Sequence, residues 1–121
     1  MYNYIRLKKK IKSNQAKVAI IGLGYVGMPL FIQSSKKYKT LGIDIKTIKS
    51  KIKSKNFHIS KNYSLLNDCD IIIYTLPTPV DKKNIPDLSI LKKSIIKTVK
   101  NIQKPKLIII ESTSYPGTTR E

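Results

Sequence analysis

The sequence has one cysteine, no tryptophan and only two arginines, Arg6 and Arg120, among 121 residues. A single thiol, Cys69, allows no internal disulfide and no cysteine-based zinc cage, which excludes a disulfide-stapled secreted scaffold and a zinc ribbon and suits a reducing compartment. No run comes near the roughly 18 apolar residues of a membrane span; the longest, such as Ile71-Ile72-Ile73-Tyr74, have strand length. The basic opening MYNYIRLKKKIKSNQ does not lead into the apolar core and small-residue cleavage site of a secretory signal. The expectation is a cytoplasmic protein whose residues 1–15 form a solvated, poorly ordered arm.

Acid is also scarce, 7 Asp+Glu against 24 Lys+Arg, for a net charge of +17. Such a charge by itself suggests a polyanion partner. The shortage of arginine argues against a specific reader of nucleic acid, because bidentate recognition of guanine and phosphate depends on the guanidinium group. The lysines are scattered along the chain, as a compositional bias would leave them on any free surface. With 40% hydrophobic and 26% charged residues, the composition is that of an ordinary globular chain, and the length suits one domain.

What is present is an alternation of strands and helices. Lys17-Val-Ala-Ile-Ile-Gly22 is a short apolar run ending in glycine, as in a strand covered on both faces of a parallel sheet. A helix is predicted over 25–37, with Pro29 in its first turn, where a missing N–H costs little. Thr40-Leu-Gly-Ile-Asp44 reads as a second strand, and Ile45, Ile48 and Ile52 give a helical stripe over 45–55. Phe57-His-Ile-Ser60 is a weak third strand, followed by a short turn or helix over 63–67 and a strong strand over 70–75. Pro77, Pro79 and Pro86 make a loop. Asp87 or Ser89 can cap a helix running to about residue 102, with Leu88, Leu91, Ile95, Ile96 and Val99 on one face. Lys106-Leu-Ile-Ile-Ile-Glu111 is the last strand, and 112–119 a polar turn. Right-handed crossovers between such strands build an α/β fold with a doubly wound parallel sheet of order 3-2-1-4-5. In that architecture ligands bind at the carboxyl ends of the strands.

The chemistry concentrates there. Gly22-Leu23-Gly24-Tyr25-Val26-Gly27 is a complete G-x-G-x-x-G between strand and helix, with Gly22 for the tight turn, Gly24 for close approach to a pyrophosphate and Gly27 for helix packing. Asp44 ends the next strand 22 residues after Gly22, near the spacing of an acid that accepts hydrogen bonds from an adenosine ribose. A bland alternative is a glycine turn with Asp44 as a helix cap. An acid at this position favours NAD over NADP, since it repels a 2′-phosphate, although Lys46 and Lys49 stand close enough in sequence to soften that repulsion.

The segments KVAIIGLGYVGMPL, GID, CDIIIYTLPTPVDKKNIPDLSIL and IIIESTSYPGTT together resemble the nucleotide-sugar 6-dehydrogenases of the UDP-glucose/GDP-mannose dehydrogenase family, over roughly residues 16–120. The PTPVDK…PDL and EST-x-YPGTT forms look most like the branch acting on UDP-N-acetylhexosamines. The resemblance implies oxidation of C6 of a UDP-hexose or UDP-N-acetylhexosamine to the uronic acid with NAD. It puts Gly22, Gly24, Tyr25, Val26 and Gly27 at the pyrophosphate, Asp44 at the adenosine ribose and Lys49 near the adenosine side. Thr78 and Thr113 would line the nicotinamide half, with Thr113 also holding a water near the reacting carbon. Without the resemblance, Thr78 and Thr113 read equally as satisfying turn backbone.

Two departures from the family pattern stand out. The stretch between Asp44 and Asp70 is shorter than usual, which leaves the third strand thinly supported. The sequence also ends just after Thr118-Thr119, whereas the family's dimer helix, its catalytic lysine and asparagine and its nucleophilic cysteine come later. Cys69 is no substitute, because the flanking Asp68 and Asp70 disfavour a thiolate. His58 has no triad partner, and no metal-ligand cluster is visible. The expectation is therefore a chain that binds NAD but is inactive alone, engaging a UDP-sugar only if a further domain is supplied. Its rivals are a non-catalytic dinucleotide-binding or partner-docking module and a basic nucleic-acid-associated protein. An uncovered apolar face beside the last strand is a further expected surface for association.

Overall fold

The computed structural model describes residues 2–46, 48 and 56–112. Its elements run α1 (Tyr2–Lys12), β1 (Lys17–Ile21), α2 (Gly27–Ser35), β2 (Lys39–Ile43), β3 (Phe57–Ser60), a 3-10 segment (Tyr63–Asp68), β4 (Ile71–Tyr74), α3 (Ser89–Asn101) and β5 (Leu107–Ile110). The five strands form one sheet of order β3-β2-β1-β4-β5, every pair parallel. This is the doubly wound order expected from the sequence, third strand included. The helix expected over 45–55 and the turn over 112–119 fall largely outside the described residues.

Alternation along β1 sorts its side chains between two layers. Ala19 and Ile21 join Leu41, Ile43, Ile72 and Tyr74 beneath α3 and the 3-10 segment. Val18 and Ile20 join Leu23, Phe31 and Ile71 on the other face, beneath α2 and α1. Phe31 is fully buried and meets Phe57 edge to face, with ring centres 5.8 Å apart. Burial of a side chain of this kind contributes about 1.5–3 kcal/mol.

Residues 2–15 do not form the poorly ordered arm expected from the charge of residues 1–15. Tyr2–Lys12 is a helix whose Leu7 and Ile11 pack on the second layer, and the Tyr38 hydroxyl donates to the Ile11 carbonyl at 3.2 Å. Two partly buried apolar side chains one turn apart outweigh the repulsion of lysines that remain in water. Lys10 Nζ reaches Asp70 at 3.0 Å and the Lys17 N–H donates to the same carboxylate at 2.9 Å. Burial pushes the Asp70 carboxyl up, but these two hydrogen bonds and the Lys10 charge outweigh it and hold the group below its ordinary value.

The buried face of α3 also differs from the apolar stripe read from the sequence. Of that stripe Leu88 and Leu91 are buried and Ile95 packs on the core, whereas Ile96 and Val99 are more than half exposed, at 56% and 58%, and Ser94 and Thr98 are buried instead. The reason lies across the interface: the Tyr74 hydroxyl donates to Thr98 Oγ1 at 2.6 Å, and Tyr63 and Ser94 share a hydrogen bond at 2.6 Å. Buried phenols require polar partners, so the helix turns its hydroxyls inward. Asp87, not Ser89, serves the start of α3, its carboxylate accepting from the Ser89 N–H at 2.9 Å.

Ile96 and Val99 on α3, with Leu107 and Ile108 on the edge strand β5, are thus exposed. Exposed apolar side chains on an edge strand and on the helix that flanks it are expected to favour self-association. Sedimentation velocity at rising concentration checks this, and a monomer throughout, unchanged by Ile108→Lys, would contradict it.

Candidate functional site

The glycine turn lies at the carboxyl end of β1, where the strand order reverses between β2 on one side and β4 on the other. Its three glycines meet different demands. Gly22 has φ +97°, which favours glycine, and a Cβ there would also come 2.9 Å from the Thr75 carbonyl oxygen. At Gly27 a Cβ would overlap the Gly22 carbonyl oxygen and lie 2.5 Å from Thr75 Oγ1, so the first turn of α2 touches the end of β1. At Gly24 a Cβ would meet nothing within 4 Å, and the backbone does not require positive φ. The fold itself therefore does not ask for glycine at this position. The open space over Gly24 is what a bound phosphate group needs.

Tyr25 and Val26 follow on the exposed tip of the turn, before α2 begins at Gly27. The helix is thus two residues shorter at its start than the sequence pattern suggested. Its N-terminus has no side-chain capping bond and no acid in the first turn. N–H groups and the positive end of the helix dipole are left for an anion.

Asp44 follows β2 and reaches back to the turn. Its Oδ2 accepts from the Leu23 N–H at 2.8 Å and its Oδ1 from the Lys46 N–H at 2.9 Å. Each carboxylate oxygen can accept a second hydrogen bond, so the group keeps room for two hydroxyls. The bond to the Lys46 N–H is one that a helix cap also makes, whereas the bond to Leu23 ties Asp44 to the glycine turn.

Thr78 is half-buried in the loop over 75–79 that leaves β4. That loop is held on both sides. Thr75 Oγ1 donates to the Gly22 carbonyl at 2.6 Å, with the Ile21 carbonyl at 3.2 Å as a weaker alternative, and Ser112 Oγ donates to the Leu76 carbonyl at 2.9 Å. The following residues fold into a tight excursion closed by Asp81, whose Oδ1 accepts from the N–H groups of Lys83 and Ile85 at 2.8 and 2.9 Å. Thr75, Asp81 and Ser112 were not singled out from the sequence. A hydroxyl at the end of a central strand was the available signal for Thr75. Lys49 and Thr113 lie outside the described residues.

The structure therefore gathers Gly22, Gly24, Tyr25, Val26, Gly27, Asp44 and Thr78 at one end of the sheet. Cys69 lies at the other end, before β4 and buried. Burial is the main cause that pushes its thiol up to about 11, ahead of the charges of Asp70 and Asp68 on which the sequence reading relied, and Lys106 opposes it in part. A cleft of about 500 Å³ opens at that same far end, between α1 and the starts of β1 and β5, away from the glycine turn. Among the described residues no group of acids, histidines and cysteine is placed to hold a metal ion, and no helix is long and apolar enough to cross a membrane.

Fold and site together define a dinucleotide-binding domain of the doubly wound class. Residues 45–121 match the model of the UDP-glucose/GDP-mannose dehydrogenase family, NAD binding domain, and the chain belongs to that family. It is 35% identical over 120 residues to protein CapL of Staphylococcus aureus, covering 86% of this chain and 28% of that protein. It is likewise 35% identical over 122 residues to the UDP-N-acetyl-D-glucosamine 6-dehydrogenase of Pseudomonas aeruginosa, covering 87% of this chain and 29% of the relative. Among solved structures, the UDP-D-ManNAc dehydrogenase of Pyrococcus horikoshii superimposes with a TM-score of 0.73 at 26% identity, over 86% of this chain and 30% of that one. The chain thus spans somewhat less than a third of the length of these relatives.

Proposed function

We propose that this chain holds NAD for the oxidation of C6 of a UDP-N-acetylhexosamine to the uronic acid. The observation that carries the cofactor reading is the pairing of an open Gly24 with an Asp44 carboxylate bonded to the next residue of the same turn, Leu23. Bound NAD supplies a hydride acceptor. The turn over 22–27 holds the pyrophosphate through backbone N–H groups, with Tyr25 and Val26 at its rim. Asp44 accepts the adenosine ribose hydroxyls, and Lys49 lies on the adenosine side. Thr78 and Thr113 line the nicotinamide half, and Thr113 holds a water near the reacting carbon. The sugar class rests on the relatives' names and on the PTPVDK and EST-x-YPGTT segments. A cytoplasmic setting goes with this reading, and fractionation of producing cells tests it.

Asp44→Ala tests the cofactor assignment. Removing a carboxylate that accepts two ribose hydroxyls costs about 1.5–3 kcal/mol, so NAD affinity should fall roughly 10- to 100-fold. NADP should lose much less, because its 2′-phosphate is repelled by the same carboxylate. Calorimetric titration of both cofactors reads the difference, and equal losses would remove Asp44 from the ribose.

A further inference from the structure

Among the described residues, Thr75 is the one hydroxyl that joins the end of β4 to the glycine turn. The Gly22 carbonyl is buried with its residue, and among the described residues no backbone N–H donates to it. Thr75 Oγ1 donates to it at 2.6 Å. The same oxygen lies where a Cβ on Gly27 would come within 2.5 Å, so it is wedged between the first and last glycines of the motif. Its own backbone is fixed to β1, the Thr75 N–H donating to the Ile21 carbonyl at 2.9 Å. Ser112 Oγ anchors the next residue through the Leu76 carbonyl at 2.9 Å.

We infer that Thr75 is a positioning residue for the pyrophosphate. Its hydroxyl holds the carbonyl end of the peptide after Gly22, whose Leu23 N–H is held by Asp44 at 2.8 Å, and the two anchors together set where the N–H groups of residues 24–27 point. With the hydroxyl removed, the buried carbonyl loses this partner and its peptide is held only at the Leu23 N–H, so it can rotate about that bond toward water while Asp44 keeps its place. Such a rotation turns the following N–H groups away from the space over Gly24. Orientation of donors before the anion arrives is what gives a backbone cradle its affinity, so the effect falls on ligands that carry the pyrophosphate. This inference rests on the assignment of NAD to the glycine turn.

The test compares Thr75→Val, which keeps the shape and removes the hydroxyl, with Thr75→Ser, which keeps the hydroxyl. Affinities for NADH, from its fluorescence, and for ADP-ribose and adenosine, from ligand-observed NMR, are measured on the whole 121-residue chain. In Thr75→Val, NADH and ADP-ribose should bind about tenfold more weakly, equivalent to about 1.4 kcal/mol, with adenosine unchanged. Thr75→Ser should stay within about twofold of the parent, a change of roughly 0.4 kcal/mol. Thr75→Val binding like the parent, Thr75→Ser falling as far as Thr75→Val, or adenosine weakening in step with the other ligands would each overturn the inference. Should Thr75→Val not fold, Thr75→Ala replaces it, and equal affinities in the Ala and Ser variants overturn the inference in the same way. A parent chain that binds neither NADH nor ADP-ribose would overturn the cofactor reading itself and this inference with it.

Discussion

Gly27→Ala should cost the domain its stability and its cofactor together, whereas Gly24→Val should cost it the cofactor alone. At Gly27 the added methyl would overlap the Gly22 carbonyl oxygen and crowd Thr75 Oγ1 at 2.5 Å. The oxygen belongs to backbone at the end of the central strand, so α2 must move away from the sheet. Overpacking of this kind costs about 1–3 kcal/mol, and at the upper end the melting temperature falls by roughly 10 °C. At Gly24 the side chain would enter open space, so the unliganded melting temperature should stay close to the parent's. The same side chain would fill the volume a pyrophosphate occupies, and NAD binding should drop by about 100-fold or more, the equivalent of roughly 3 kcal/mol. Thermal melts with and without NAD read both effects at once. A Gly24→Val chain that is still stabilised by NAD would remove the glycine turn from the cofactor site.

Residues 1–121 by themselves should form no NADH from any UDP-hexose or UDP-N-acetylhexosamine, even at saturating NAD. Hydride leaves C6 only when the sugar is held against the nicotinamide, and positioning of this kind accounts for about 7–11 kcal/mol of barrier lowering. The second oxidation, from aldehyde to acid, proceeds in the family through a thiolate adduct. The sequence has one cysteine, and it lies at the wrong end of the sheet. From Cys69 along β4 to Thr75 is six residues of extended chain, roughly 20 Å. The thiol is also buried and pushed up to about 11, so it is protonated near neutral pH. A panel of UDP-sugars assayed at 340 nm checks the expectation. Turnover that survives Cys69→Ser would show that the chemistry needs fewer groups than argued, and turnover lost in that variant would give Cys69 a role the geometry does not.

The parallel order and the glycine turn were legible because each is written in local terms: apolar runs of strand length, three glycines at fixed spacing and an acid 22 residues on. β3 was weaker in sequence because an edge strand has only one neighbour and its His58 is exposed. The two misreadings share one cause, which is that pattern rules count side chains without their partners. For α1, the lysines suggested an arm, and the outcome turned on Leu7 and Ile11 finding the underside of the sheet. On α3 the apolar stripe gives the buried face at Leu88, Leu91 and Ile95 but not at Ile96 and Val99, where the outcome turned on two tyrosine hydroxyls contributed by β4 and the 3-10 segment. Thr75 escaped for a similar reason, because its importance comes from a carbonyl 53 residues earlier in the chain.

The two backbone bonds to Asp44 bear on the entropy of cofactor binding. A carboxylate free to sample its rotamers must be frozen when it grips a ribose, at a cost of about 0.5–1.5 kcal/mol. Here Leu23 and Lys46 hold one oxygen each, so that freezing has taken place in the unliganded chain. The cost is transferred from binding to folding, where it is spread over a cooperative structure. An Asp44→Glu chain keeps the charge but adds a rotatable bond and loses the fit to both N–H groups. Its weaker grip on NAD should therefore appear mainly as a less favourable binding entropy, with much of the enthalpy of the ribose contact kept.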